Sequence, residues 1–185
     1  MTKKKILIAT GGTGGHIFPA LSLAKNLIKK NYDIILTTDK RGLKYLSDIN
    51  EINLKKITSS PLVKKNIFRL IYSALLICYS TVKSLFLLSL NRPHIIIGMG
   101  GYSSFPVCIA ATILRIKFII YENNLIIGKA NKYLLHFAEK VFVSYKDLEG
   151  IKEKNKKKVI VVGNIIREEI IEFNNHDDLK NKFDT

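Results

Sequence analysis

The chain has no tryptophan, only two cysteines, two methionines and four prolines, and half as many acidic as basic side chains, 15 against 30. Two cysteines, Cys78 and Cys108, both in apolar helical context, make neither a disulfide scaffold nor a thiolate metal centre. The expectation is buried thiols in a reducing compartment. No zinc-ligand spacing, RNP-like aromatic pattern or helix-turn-helix signature accompanies the net charge of +15, so no nucleic-acid partner, metal or cofactor is assigned. The surplus favours anionic partners in general, such as acidic lipid head groups or phosphorylated substrates. Part of it reflects joint enrichment in Lys, Asn and Ile, as an A/T-biased coding sequence produces. No long apolar run follows the basic start Met1-Thr2-Lys3-Lys4-Lys5; the stretch before the first glycines is too short for a secretory signal, and a cytoplasmic chain is expected.

What is present is alternation. Hydrophobic content of 47% and short loops argue for an ordered globular domain. Strands are expected at Lys5–Thr10, Asp33–Thr38, Leu54–Thr58, His94–Gly98, Phe118–Tyr121, Val141–Ser144 and Val159–Val162. Helices are expected at Ile17–Lys30, Gly42–Ile49, Asn66–Leu90, Ser103–Leu114, Lys129–Phe137 and Lys146–Lys152. Continuous apolar strands such as Ile95-Ile96-Ile97 are buried on both faces, the mark of a parallel sheet covered by helices. The fold class is therefore α/β, a doubly wound Rossmann-like parallel sheet. Ligands of such sheets bind beyond the carboxyl ends of the strands.

Two glycine turns fall there. After the apolar run Ile6 to Ala9 comes Gly11-Gly12-Thr13-Gly14-Gly15-His16, and a helix follows at once. After His94–Gly98 comes Gly98-Met99-Gly100-Gly101-Tyr102-Ser103-Ser104, with Ser103 or Ser104 available as N-cap. Strand, glycine turn and helix start surround an anionic oxygen with backbone N–H groups. Two such turns can converge on one diphosphate, which makes Gly12, Gly100, Gly101, Tyr102 and Ser103 candidates. Neither is a Walker A loop, because no Gly-Lys-Ser/Thr follows, and Ile17 leaves the dinucleotide fingerprint incomplete. Two further strand ends carry polar groups: Glu122-Asn123-Asn124, of the kind that orients sugar hydroxyls, and Gly163-Asn164-Ile165-Ile166-Arg167.

The stretch Asn66 to Leu90 is the most apolar. Its charge-free part, Leu70 to Val82, falls short of the roughly 20 residues a membrane span needs. Projection at 100° per residue gives one stripe, Ile67, Ile71, Ala74, Cys78 and Leu85, expected to face the core. A second side carries Tyr72, Leu76 and Tyr79 beside Arg69 and Lys83, and suits a membrane interface.

Taken together and in this order, the motifs resemble the MurG-type glycosyltransferases, most specifically through G-G-T-G-G-H-I-F-P-A at 11–20 and G-M-G-G-Y-S-S-F-P at 98–106. The resemblance covers nearly the whole chain and implies the N-terminal half of a GT-B fold. Residues 1–167 would be the acceptor- and membrane-binding domain, and 168–185 an interdomain linker or terminal helix, the C-terminal donor domain being absent. It implies transfer of N-acetylglucosamine from UDP-N-acetylglucosamine to lipid I in peptidoglycan synthesis, at the cytoplasmic face of the inner membrane. Thr13, Gly14, Gly15, Asn124 and Arg167 match donor-contacting positions; His16, Tyr102 and Glu122 match positions for acceptor binding or catalysis. His16 is the first choice as base because neutral imidazole near pH 7 suits proton transfer, and Glu122 is the second. One wall of a cleft cannot preorganise both substrates, so the chain alone is expected to be inactive unless a separately encoded donor domain joins it. The alternative is a non-catalytic peripheral module that binds polyprenyl diphosphates. Tyr121 and Asn123 stand where the family usually has His and Gln, and Ile127 and Ile165 replace common prolines.

Overall fold

The computed structural model describes residues 3–46, 52–58 and 66–166. In chain order its elements are β1 (Lys5–Ala9), α1 (Gly14–Lys29), β2 (Asp33–Thr38), α2 (Lys40–Leu43), β3 (Asn53–Lys56), α3 (Ile67–Asn91), β4 (Ile95–Gly98), α4 (Ser104–Ile113), β5 (Phe118–Glu122), α5 (Lys129–Leu134), β6 (Lys140–Val143), α6 (Glu153–Lys156) and β7 (Val159–Val161). The strands form one sheet in the order β3-β2-β1-β4-β5-β6-β7, and every pairing is parallel. The order reverses between β1 and β4, the point at which doubly wound sheets open a crevice for ligand. Ile6, Leu7, Ile8 and Ala9 of β1 are all buried, because helices cover both faces. One apolar cluster joins α1 to the sheet through Ile17, Ala20 and Ala24. The other joins α3, α4 and α5 through Leu88, Val107, Ala111 and Leu134.

Most expected elements form, with differences that have local causes. Helix α1 starts three residues before Ile17, so Gly14, Gly15 and His16 make its first turn. Helix α2 starts two residues before Gly42, because the Asp39 carboxylate caps it by accepting the N–H groups of Arg41 and Gly42. It ends at Leu43, and the last part of that expected helix lies outside the described residues. The expected helix at Lys146–Lys152 does not form. Its chain instead makes a parallel bridge between Ile126 and Glu149, with Ile127 donating to the Glu149 carbonyl and Glu149 to that of Leu125. A short helix, α6, follows it in a lysine-rich stretch outside the expected helices.

Helix α3 departs furthest from expectation. It is 25 residues long, and by length and composition it is apolar enough to cross a membrane, contrary to the sequence reading. Both of its ends, however, lead into strands of one sheet, and it packs along α4. Its buried face is Ser73, Ser80, Ser84 and Leu88, not the stripe expected to face the core. Ile67 and Ile71 are exposed, as are Ala74 and Cys78, and Leu85 is half-buried. Cys78 is thus an exposed thiol, while Cys108 is buried and burial pushes its pKa up to about 12. The serines are buried because small side chains let α3 approach its neighbours closely while their hydroxyls stay satisfied. Ser84 donates to the Ser80 carbonyl at 2.7 Å and Ser80 donates to that of Thr58.

Candidate functional site

At the carboxyl edge of the sheet the two glycine turns interlock. Gly101 sits at φ +78°, where a side chain is strained, and its missing Cβ would run into the backbone carbonyl of Gly11. The Ser103 hydroxyl donates to the Thr10 carbonyl at 2.7 Å and closes the junction from the other side. Ser103 therefore ties the turns together and does not cap α4, although Ser104 donates to the Gly101 carbonyl at 2.9 Å. Tyr102 projects from the second turn, 39% exposed.

His16 lies between the turns. A Cβ on Gly100, φ +85°, would come within 2.9 Å of its imidazole Cε1, so only glycine lets the second turn close over the ring. Its Nδ1 is buried and has no hydrogen-bond partner, an arrangement that carries a cost. Burial lowers the His16 pKa, outweighing the Glu122 charge and the Met99 backbone, which both raise it. The imidazole is neutral at pH 7 and able to accept a proton. Thr13 precedes α1 in extended conformation with no side-chain hydrogen bond to the helix. The N–H groups of Gly14 and Gly15, at the start of the helix, thus have no side-chain cap.

Glu122 ends β5 with 1% of its surface exposed. It accepts from Asn124 N and Nδ2 at 3.2 and 2.6 Å, from Gly128 N at 2.8 Å and from Asn131 Nδ2 at 3.0 Å. Four donors inside the protein fix the carboxylate as the organiser of the loop between β5 and α5. Asn123 reaches across to the first turn, its Nδ2 donating to the Gly15 carbonyl at 2.9 Å. That carbonyl is free because its helical partner four residues on would be Pro19, which has no N–H. The proline in G-G-H-I-F-P thus opens an acceptor on α1 that the third loop occupies.

Two residues that the sequence reading missed complete the first turn. Asp39, buried at the end of β2, accepts from Gly12 N at 3.3 Å, Arg41 N at 3.1 Å and Gly42 N at 2.9 Å through Oδ1. Its Oδ2 takes Arg41 Nε and Nη2 at 3.1 and 2.7 Å. Burial raises the Asp39 pKa, but the Gly42 N–H, the Arg41 side chain, the Gly12 N–H and the Arg41 charge together bring it below the usual value. The available signal was an acid directly after the second strand, where doubly wound folds place a polar anchor. Tyr121 is buried, its hydroxyl hydrogen-bonded to Ser144 Oγ at 2.8 Å and accepting from Ile165 N at 3.1 Å. It holds the segment after β7 against the sheet. Arg167 lies outside the described residues. Among the described residues no group of His, Cys, Asp or Glu has the makings of a metal site.

The turns, His16 and the Glu122 loop are thus brought to one edge, whereas the α3 residues Arg69, Tyr72, Leu76, Tyr79 and Lys83 lie on the helical face beyond it. Of these, Tyr72 and Tyr79 are 64% and 62% exposed; Arg69 and Lys83 are also exposed and Leu76 is half-buried.

Residues 6–143 match the model of the glycosyltransferase family 28 N-terminal domain. The UDP-N-acetylglucosamine--N-acetylmuramyl-(pentapeptide) pyrophosphoryl-undecaprenol N-acetylglucosamine transferase of Rickettsia felis is 37% identical over 90% of this chain and 45% of its own length. The protein of the same name from Pelagibacter ubique is 35% identical over 98% of the chain and 49% of its own. The crystal structure of Acinetobacter baumannii MurG superposes with a TM-score of 0.70 at 27% identity, covering 88% of this chain and 46% of that one. The chain spans about half the length of the curated relatives it matches.

Proposed function

Because this chain belongs to the glycosyltransferase family 28 N-terminal domain family, we propose that it is the acceptor-binding half of an inverting N-acetylglucosaminyltransferase. The reaction moves N-acetylglucosamine from UDP-N-acetylglucosamine to undecaprenyl-diphosphate-linked muramyl pentapeptide, in peptidoglycan synthesis. The activity named for the relatives supports the substrates. The observation that carries the reading is the convergence of two glycine turns on a buried, neutral imidazole whose Nδ1 has no partner.

In this reading the acceptor diphosphate rests on the N–H groups around Gly100 and Gly101, near Tyr102 and Ser103, with Gly12, its own N–H held by Asp39, shaping the first turn beside it. The muramyl C4 hydroxyl attacks the anomeric carbon, His16 takes its proton, and UDP leaves from the opposite side. Thr13, Gly14, Gly15 and Asn124 border the donor; for Arg167 the same role rests on its motif alone. Glu122 positions the loop that carries Asn123 and Asn124, and its charge raises the basicity of His16, so the imidazole is the base and the carboxylate its support. In this reading residues 1–167 make one wall of the cleft; 168–185, the proposed linker or terminal helix, lie outside the described residues. A donor-binding half makes the other wall, because neither substrate is fully oriented by one side.

The exposed face of α3 would seat this half on the cytoplasmic side of an anionic membrane. Phe68, Tyr72, Leu75, Tyr79, Val82, Phe86 and Leu90 are all exposed and recur every three or four residues, and the only charges on the helix are Arg69 and Lys83. Apolar rings dip into the interface while cations meet acidic head groups. That face also favours the second reading, a peripheral module that binds polyprenyl diphosphates without catalysis.

The test is UDP release from UDP-N-acetylglucosamine and lipid I by the chain alone and combined with a donor domain of the family. Turnover is expected only in combination and should fall by about 100-fold or more in His16→Asn, the range for loss of a general base. Full turnover with His16→Asn would overturn the assignment of the base, and none in combination would leave the non-catalytic reading.

A further inference from the structure

We propose that Arg41, fixed beside the first glycine turn by Asp39, takes the phosphate oxygens of a diphosphate in a two-pronged contact over Gly12. The inference rests on the reading above that the glycine turns hold a diphosphate. Arg41 lies in α2, after the second strand, yet the fold brings its side chain to the turn that follows the first. Its Nη2 stands 3.7 Å from where a Cβ on Gly12 would lie, and, chain neighbours aside, no other described atom comes within 4 Å of that point. The space over Gly12 is thus bordered by a cation and otherwise open.

The hydrogen bonds around Asp39 leave this cation half free. The Gly12 N–H is turned to Asp39 Oδ1 at 3.3 Å, so it is not offered to an anion, and the guanidinium stands in its place. Asp39 Oδ2 takes one N–H from Nε and one from Nη2, at 3.1 and 2.7 Å. A guanidinium carries five N–H groups; the two on Nη1 and the second on Nη2 have no partner among the described residues. Those make the other edge of the fork, with the geometry that meets two phosphate oxygens at once. The side chain is 54% exposed, so that edge reaches solvent. Because the Asp39 charge is also met by the N–H groups of Gly12, Arg41 and Gly42, the ion pair does not cancel the pull of the free edge. Fixing the side chain beforehand removes the ordering cost that a loose arginine would bear on binding. No acidic side chain stands in the first turn of α1, and Glu122 is occupied by its own internal donors. The second glycine turn closes on Gly11, where Gly101 packs against its carbonyl. Two anion-binding elements therefore meet on the consecutive residues Gly11 and Gly12, which suits two linked phosphates better than one.

The experiment is calorimetric titration of the whole chain with inorganic diphosphate, UDP and farnesyl diphosphate, the last below its aggregation concentration, at low and at high KCl. Arg41→Gln is expected to weaken inorganic diphosphate by about tenfold or more, the range for loss of a charge-assisted hydrogen bond. Its remaining affinity should fall less with added KCl than that of the wild type, because one exposed charge has left the contact. Arg41→Lys keeps a cation for Asp39 and for the ligand but has no fork. It should lose several-fold with the salt dependence of the wild type, and it serves if the Gln variant does not fold. A matching loss with farnesyl diphosphate but not UDP assigns the contact to a lipid-borne diphosphate, and the reverse to a nucleotide; each upholds it. Wild-type affinity in either variant overturns the two-pronged contact and leaves the turns their diphosphate. A loss in Arg41→Gln with unchanged salt dependence also overturns it, since Arg41 then only props the turn through Asp39. No binding of any of the three by the wild type overturns the diphosphate reading of the turns, and the Arg41 contact with it.

Discussion

Replacing Asp39 by Asn tests how far the first glycine turn depends on the carboxylate beneath it. Asp39 receives three backbone N–H groups and the Arg41 guanidinium. Asn keeps one carbonyl oxygen for the backbone donors but turns an NH₂ toward the guanidinium, so donors face donors where an ion pair stood. A hydrogen bond to a charged group contributes roughly 1.5–3 kcal/mol. The Arg41 side chain is 54% exposed, so solvent screening limits its ion pair to about 0.2–1 kcal/mol. The expected loss is therefore about 2–3 kcal/mol, or a fall in Tm of roughly 4–12 °C for a domain of this size. The pH dependence separates this cause from others. Asp39 has a folded pKa below its ordinary value, so its contribution is complete above pH 3.8 and is lost as pH falls through the folded value. Urea unfolding of wild type and D39N should show a constant gap from pH 7 to pH 5 that narrows only at stronger acidity. No gap at pH 7, or one that closes above pH 5, would refute the reasoning.

Gly101→Ala must place a methyl against the Gly11 carbonyl at φ +78°. The left-handed conformation alone costs about 1–2 kcal/mol, and thermal unfolding should show a larger loss than that, together with weaker diphosphate binding. His16, whose pKa burial lowers, should give the assembled transferase an acid limb with its midpoint below pH 6.5. The same group favours the folded state above pH 6.5, and that contribution is lost as pH falls through its folded pKa; a kcat/KM profile with its acid limb above pH 6.5 would contradict the neutral imidazole. Tyr72→Asp with Tyr79→Asp should reduce co-sedimentation with anionic vesicles by about tenfold or more while leaving the Tm within a few degrees, since both rings are exposed; unchanged binding removes the membrane face.

Local chemistry made much of this protein legible without coordinates. Apolar β-branched runs set the strands, glycines after two of them marked the turns, and the alternation of strand with helix fixed the parallel, doubly wound class. His16 stood out because it is the titratable residue inside a glycine turn. Its neutrality, by contrast, comes from burial against a turn far away in the chain, Gly100 among its residues. Asp39 passed unnoticed although its place after the second strand marks a polar anchor; that it holds Gly12 and Arg41 is seen only once the fold brings them to it.

Helix α3 marks the boundary most clearly. Composition and period set its existence and nearly its length, but not its rotation. An apolar stripe ordinarily faces inward, and here the serine stripe does, because Ser80 and Ser84 satisfy their hydroxyls on nearby carbonyls and their small size admits close packing. Such a choice depends on what the neighbouring helix and loop offer, so it exists only in the folded chain. The scarcity of cysteine excluded a disulfide scaffold and a thiolate metal centre. The arrangement of turns, imidazole and carboxylate at one sheet edge, with α3's apolar face turned outward, required the tertiary structure.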